Sequence, residues 1–137
     1  MSVATDSPVA PETELYRRIP PTANQGLVYD DNRDCVRLSS AIFNTERMSV
    51  VIEDTLRSDG REPLDVLNGY PEDFLVAITA ELAVKHGQTV ERAPEDDEPA
   101  HAEVVGKMTK KKARAFCRAA KWIKAPADLC PENETGS

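Results

Sequence analysis

Hydrophobic and polar residues alternate with two different periods along this chain, and each period predicts a type of element. In "MSVVIED", Met48, Val50 and Ile52 share one side of a two-residue period and β-branched residues fill the centre, which predicts a strand. "LYRRI" alternates similarly until two prolines end it, so it predicts a short strand or an extended entry. The short apolar run in "GLVYDDNRD" predicts a further strand followed by turn residues.

Three segments fit more than one element. In "VRLSSAIF" a strand competes with a single helical turn, and "PLDVLNGY" predicts a short helix or turn that ends at Gly69. "DFLVAITAELAVKHG" has the composition of a buried strand from Phe74 to Thr79, yet it also repeats apolar residues at helical spacing. Because Gly87 is a suitable helix C-cap, a helix is predicted for at least the second half.

The last third of the chain predicts a hairpin and a helix. "QTVERAP" and "AHAEVVG" are predicted strands, and "EDDEP" is the turn of an antiparallel hairpin with a long loop. Thr109 is a suitable N-cap for the final helix, which is predicted to continue to Lys124 with one basic side. The opposite, apolar side repeats at helical spacing through Ala113, Phe116, Cys117, Ala120 and Ile123.

These elements predict an α+β domain. Its small, mostly antiparallel sheet has four to five short strands and is packed by two helices, of which the C-terminal one is basic and amphipathic. Residues 1–14 and 125–137 show no periodicity, so a disordered leader and a disordered tail are predicted around a single domain of residues 15–124.

Charge is distributed unevenly along the chain. The net charge is −7, yet the segment from Lys107 to Lys124 contains eight basic residues and no acidic one, so the rest of the chain carries −15. An electrostatic partner therefore meets two different faces. Aromatic residues make up only 5% of the chain, which argues against a surface that stacks the bases of single-stranded nucleic acid.

Targeting signals and metal motifs are not found in the sequence. There is no signal peptide pattern and no apolar run near the ~20 residues that a membrane-spanning helix needs. The cysteines, Cys35, Cys117 and Cys130, are odd in number and lack CxxC spacing, which argues against a disulfide framework and a zinc site. We therefore expect a cytoplasmic protein with reduced cysteines, no metal, no cofactor and no membrane contact.

Two residues are candidates for catalysis. His101 begins a predicted strand, and histidine is the side chain best suited to act as a base near neutral pH, although a structural histidine bonded to the backbone is the favoured interpretation. Ser39 lacks the Gly-x-Ser-x-Gly turn that exposes a nucleophile, and a serine pair at such a junction usually caps the next turn.

"LYRRI" and "LSSAIF" resemble the arginine and serine–threonine–serine elements of ADP-ribosyltransferase-like domains. The resemblance implies an NAD-binding enzyme or toxin-related domain, in which the arginine grips the dinucleotide and the serine strand shapes its pocket. Arg17 or Arg18 and Ser39 are the matching positions, and the acidic residue is one of Glu81, Glu91 and Glu103. If the chain is an enzyme, its catalytic candidates are Arg17, Ser39, His101 and Glu103.

The chain also resembles a group of small, uncharacterised bacterial α+β proteins. The residues that carry this resemblance are "YRRIPP", "SSAIF", "MSV", "HGQTV" and "PAHAEVVGK" followed by the basic helix. It implies no activity.

The basic helix is the strongest physical signal of function. Its cations suit phosphates, an acidic protein partner or plain solvation, but the charge of −15 elsewhere disfavours nucleic acid. We therefore predict an intracellular, non-catalytic accessory or protein-interaction module, with nucleic-acid binding as a less favoured alternative. The predicted contact residues are Lys110, Lys111, Lys112, Arg114, Arg118 and Lys121.

Overall fold

In the computed structural model, which describes residues 8–21 and 26–130, strands form a six-stranded antiparallel sheet and a separate two-stranded hairpin. The order in the large sheet is β6-β7-β4-β1-β5-β8, and β2 pairs with β3. The strands are β1 (Glu14–Ile19), β2 (Leu27–Asp30), β3 (Cys35–Leu38), β4 (Arg47–Ile52), β5 (Phe74–Thr79), β6 (Thr89–Arg92), β7 (His101–Val105) and β8 (Lys121–Lys124).

In the described part of the chain, three α-helices and two 3₁₀ helices connect and cover these strands. The α-helices are α1 (Glu53–Ser58), α2 (Ala80–Lys85) and α3 (Lys110–Ala119), and the 3₁₀ helices span Ser40–Phe43 and Pro63–Leu67. The α+β class and the β6–β7 hairpin are thus confirmed. The expectation of four to five strands and two helices was too low, mainly because several short segments combine a strand with a helix.

The segment from Phe74 to Gly87 contains both of its competing elements in succession. The buried run forms β5, and α2 begins directly after it, with the Thr79 hydroxyl accepting a hydrogen bond of 3.3 Å from the Leu82 N–H. Gly87 follows the helix with φ +81°, a left-handed conformation that favours glycine, so the predicted C-cap is confirmed. "VRLSSAIF" is divided likewise between β3 and the first 3₁₀ helix.

The predicted final helix is correct at its start and wrong at its end. The Thr109 hydroxyl accepts a hydrogen bond of 3.1 Å from the Lys112 N–H, as an N-cap does. The helix stops at Ala119, because Ala120 turns to an extended ψ of 139° and the next residues form β8 at the sheet edge. "KWIK" fits both periods, and pairing with β5, which places Trp122 opposite Val76, decides for the strand.

A disulfide joins Cys35 of β3 to Cys130, which corrects the expectation of reduced cysteines. The two residues are 95 positions apart, so no spacing in the sequence reveals that they meet. Backbone contacts bring them together: the Cys130 N–H donates to the Val36 carbonyl at 2.7 Å. Disulfides persist in oxidising compartments, so the expectation of a cytoplasmic protein loses its support from the cysteines.

The packed part of the chain extends beyond residues 15–124 at both ends. Thr13 is buried and its carbonyl accepts a hydrogen bond of 2.9 Å from the Ala80 N–H, while Pro126 and Cys130 are buried near the opposite end. The expected leader and tail therefore overlap packed residues at 8–14 and 125–130. Their outer parts, residues 1–7 and 131–137, lie outside the described residues.

The core forms where α3 and the first 3₁₀ helix cover the large sheet. Phe43 and Phe116 are fully buried, and their ring centroids lie 6.1 Å apart. They pack with strand residues such as Leu15, Ile52 and Val76 in one hydrophobic cluster. Within the described ranges, the helices are all too short or too polar to cross a bilayer.

Candidate functional site

The centre of the large sheet contains a gap between β1 and β4. β1 pairs with β5 along all of its residues, but it pairs with β4 only through Leu15–Ile52 and Tyr16–Val51. After Tyr16 the backbone hydrogen bonds between β1 and β4 stop, and the Arg17 guanidinium bonds to backbone carbonyls in their place. Its Nη1 donates to the Ser49 carbonyl at 2.9 Å and its Nη2 to the Ile42 carbonyl at 3.1 Å.

Arg17 has no carboxylate partner among residues 8–21 and 26–130. Its Nε is buried and makes no hydrogen bond within this part of the chain. Burial lowers the pKa of the Arg17 guanidinium, and repulsion from the neighbouring Arg18 lowers it further. Because arginine stays protonated in proteins, the result is a dehydrated positive charge with unused N–H donors.

A cavity of about 690 Å³ opens beside this gap, and we call it the Arg17 cavity. On the β1 side, the Arg18 guanidinium stacks 3.6 Å from the centroid of the Tyr70 ring and lies 3.8 Å from the Asp73 carboxylate. Tyr70 is 47% exposed, so its ring forms part of the open wall. Arg17 and Arg18 both line the Arg17 cavity, but as neighbours on β1 they leave the strand on opposite faces, and the Tyr70 ring packs against Arg18.

The opposite side of the Arg17 cavity is acidic. Arg61 forms a two-pronged ion pair with Glu98, which ties the segment after α1 to the β6–β7 loop. Glu95 and Asp97 of the same loop also line the cavity. β4 lies between β1 and β7 in the sheet, so this loop borders the Arg17 cavity on the side away from β1.

His101 lines this acidic side and is held by the backbone. Its Nδ1 lies 2.7 Å from the Ala93 carbonyl oxygen, and the Glu95 carboxylate is 4.0 Å from the same nitrogen. Because a carbonyl oxygen only accepts, Nδ1 carries the proton and Nε2 of the neutral ring is an acceptor. The contact agrees with the structural interpretation of His101, although the residue also faces a cavity.

The predicted catalytic residues are only partly brought together. Arg17 and His101 line the same cavity, whereas Ser39 and Glu103 are not among its lining residues. The Ser39 hydroxyl accepts a hydrogen bond of 3.2 Å from the Ala41 N–H and caps the first 3₁₀ helix, as expected for a serine pair at this position. Glu103 pairs with Arg47 at 2.5 Å. The serine that lines the cavity is Ser49.

The second charged region is the outer side of α3. Ala113 and Phe116 are buried, and four cations on the far side are exposed. At 100° per residue these cations lie within an arc of about 100° around the helix axis. We call this group the α3 face; it consists of Lys110, Lys111, Arg114 and Arg118.

None of the four cations of the α3 face forms an ion pair with the described part of the chain. Two other predicted contact residues differ from them. Lys112 is half-buried and its Nζ donates to the Lys107 carbonyl at 3.3 Å. Lys121 belongs to β8 and pairs with Glu14 at 2.6 Å, so it does not extend the helical face.

Sequence reasoning missed most of the Arg17 cavity. Arg61, Tyr70 and Asp73 come from loops without periodicity, and only the turn residues around Gly69 hint that the chain bends there. Within residues 8–21 and 26–130, no cluster of three or more His, Cys, Asp and Glu side chains is arranged to hold a metal ion. Comparison with protein-family models, curated proteins and solved structures finds no match.

Proposed function

We propose that this protein is an accessory interaction module whose α3 face docks on an acidic surface of a protein partner. The observation that supports the proposal most is the set of four exposed cations without carboxylate partners among the described residues. The apolar side of α3 is occupied by the core, so the basic side is the one available for an external contact.

Helix stability does not account for these cations. Lys110 and Lys111 lie in the first turn of α3, where the positive end of the helix dipole repels them, and no acidic residue offsets this in that turn. Each such charge costs about 0.3–1 kcal/mol at low ionic strength. A docking role explains why lysines occupy positions where glutamate or aspartate stabilises a helix.

The spacing of the cations suits a protein helix. Lys110, Arg114 and Arg118 follow one another at every fourth residue, which is a rise of about 6 Å on one side of α3. Carboxylates at the same i, i+4 spacing on a partner helix present a complementary row. Phosphate backbones are a less suitable partner because the rest of the chain carries −15 and repels them.

The proposal is tested with two triple variants that remove the same charge. Lys111, Arg114 and Arg118 are changed to glutamine in the first, and Arg47, Arg57 and Lys85, which lie outside the α3 face, in the control. Partners recovered by pull-down, and a helical peptide with glutamates at i, i+4 spacing, are measured at about 50 mM salt, where surface charges are weakly screened.

We expect the first variant to lose binding and the control to retain it. Equal loss in both variants, or no loss in either, contradicts docking through the α3 face. A DNA duplex that binds better than the acidic peptide, with a steep decrease as salt rises, supports nucleic-acid binding instead.

The ADP-ribosyltransferase-like alternative is supported less well. Arg17 lines a cavity together with His101, which suits a ligand site. Ser39 is engaged in a helix cap and Glu103 in an ion pair, and none of the acidic candidates, Glu81, Glu91 and Glu103, is among the residues that line the cavity.

A further inference from the structure

We propose that the Arg17 cavity binds a small molecule with an oxyanion group at one end and an amino or hydroxyl group at the other. The oxyanion lies against Arg17 and Arg18, and the donor group lies against the carboxylates of the β6–β7 loop. This site is separate from the α3 face, since the cavity lining includes no residue of α3.

The oxyanion end follows from the state of the two arginines. Arg17 uses two N–H groups on backbone carbonyls, out of the five that a guanidinium offers, and has no carboxylate partner in the described residues. Among the described residues, Arg18 has one carboxylate nearby, that of Asp73 at 3.8 Å, which is too long for a hydrogen bond. A bound anion supplies the missing counter-charge and accepts the unused donors.

The donor end follows from the carboxylates that remain unused. Glu98 is occupied by Arg61, but Asp97 has no cationic partner in the described residues, and the Glu95 carboxylate lies 4.0 Å from the His101 Nδ1. The Glu95 and Asp97 side chains are both exposed at the rim of the cavity, where their oxygens are available to N–H or O–H donors of a ligand in competition with water. An amino or hydroxyl group at the end of the ligand away from the oxyanion can donate to these oxygens.

The size of the Arg17 cavity suits a metabolite. Its volume of about 690 Å³ lies within the ~300–1,000 Å³ that is usual for small-molecule sites. The Tyr70 ring, with Arg18 stacked on it, adds a flat wall against which a sugar or a ring can pack. A single small ion fills only a minor part of this space.

The test uses three probes. Glucosamine 6-phosphate carries an oxyanion and an amino group, inorganic phosphate tests the oxyanion end alone, and glucosamine tests the donor end alone. Binding to the isotope-labelled full chain is followed by NMR, with the Arg17 Nε–H and the Gly69 amide as reporters inside the cavity. We expect saturable shifts at both signals, and glucosamine 6-phosphate to bind at least about tenfold more tightly than either half probe.

Variants assign the two ends. Arg18→Gln lowers the affinity for both phosphates by about tenfold or more, as does Arg17→Gln if it folds. In the double variant Glu95→Gln and Asp97→Asn, glucosamine 6-phosphate no longer binds more tightly than inorganic phosphate. The matched control is Arg47→Gln, an exposed arginine outside the cavity, which leaves all affinities unchanged.

Three results overturn the proposal. These are no saturable shift at the cavity reporters, equal affinity for glucosamine 6-phosphate and inorganic phosphate, and an equal loss in the Arg18→Gln and Arg47→Gln variants. If Arg17→Gln does not fold, the reporters of the unmodified chain and the Arg18→Gln variant still decide between these outcomes.

Discussion

The α3 face and the Arg17 cavity both present cations, but they are built in opposite ways. The cations of the α3 face come from one continuous helix, are exposed to water and stand in a regular row. Those of the Arg17 cavity come from neighbouring positions on one strand, and the walls around them come from segments far apart in the chain. Arg17 is largely dehydrated, whereas the α3 cations are not.

This difference predicts two kinds of binding. Exposed charges are screened by salt and contribute little singly, so the α3 face depends on several of them acting together. A dehydrated guanidinium interacts more strongly with one well-placed anion, because water competes less for its donors. The α3 face is therefore suited to a salt-sensitive macromolecular contact, and the Arg17 cavity to a small ligand.

The largest expected effect concerns the support of the α3 face. The disulfide anchors the β2–β3 hairpin, and on this hairpin the Leu38 carbonyl contacts Cys117 of α3 at 3.4 Å. Changing Cys35 and Cys130 to serine lowers the free energy of unfolding by about 4 kcal/mol, because a loop of 95 residues is no longer closed in the unfolded chain. Urea unfolding measures the change.

The reduced wild-type protein and a Cys117→Ser variant are the controls for the disulfide. Reduction of the wild type should lower the free energy of unfolding as much as the double serine variant does. Cys117→Ser, which retains the disulfide, should lower it much less. Amide exchange should increase first around residues 35–38 and 126–130 and last around the Arg17 cavity. An unfolding midpoint that does not change on reduction contradicts the predicted role.

The second prediction compares two arginines that are bound in different ways. Arg17 donates to backbone carbonyls, whereas Arg92, whose side chain is only 4% exposed, is bound by Asp54, which holds both of its Nη atoms at 2.8 and 2.6 Å. Asp54→Asn removes the carboxylate that binds both Nη atoms of this guanidinium, and we expect a loss of about 2 kcal/mol at pH 7, discounted because Asp54 is partly exposed. Asp31→Asn, in an exposed turn, is the control.

The Asp54 effect also has a defined pH dependence. The hydrogen bond from Arg92 holds the pKa of the Asp54 carboxyl below its usual value. The pair therefore stabilises the fold above the unfolded pKa of about 3.9, and this stabilisation is lost as the pH falls through the lower folded value. The difference between the wild type and Asp54→Asn should narrow in that acidic range; a difference that is constant down to about pH 2 contradicts this account.

A smaller effect tests the start of the α3 face. Thr109→Ala removes the side-chain acceptor of the Lys112 N–H and should lower the free energy of unfolding by about 1 kcal/mol. Amide exchange at the first turn of α3 should rise, and binding of the acidic peptide should weaken with it. Thr109→Ser keeps an acceptor and should behave like the wild type; an equal loss in both variants rules out the capping role.

The smallest effect has opposite signs for stability and binding. Lys111→Glu places a carboxylate in the first turn of α3 and should raise the free energy of unfolding by about 0.5 kcal/mol, while it weakens docking through the α3 face. Lys85→Glu makes the same charge change in the last turn of α2 and should lower stability by a similar amount. Urea unfolding at low and high salt measures both shifts, which should shrink with screening. A loss of stability in Lys111→Glu contradicts the dipole argument.

Much of the fold could be predicted because short-range patterns decide it. β4 follows from an alternation that only a strand can use, and the start of α3 follows from Thr109 and the apolar positions after it. β8 could not be predicted in this way, because its four residues fit a helix as well as a strand and only the free edge of β5 decides between them.

The spacing of Lys110, Lys111, Arg114 and Arg118 along one helix is a local property that the sequence alone carries, whereas the structure removes Lys112 and Lys121 from the predicted contact residues. Only the tertiary structure decided the Cys35–Cys130 disulfide, the early separation of β1 from β4 and the cavity around Arg17. Each of these depends on which distant segments meet. Periodicity carries no information about that, because it reports which side of an element is buried and not what is packed against it.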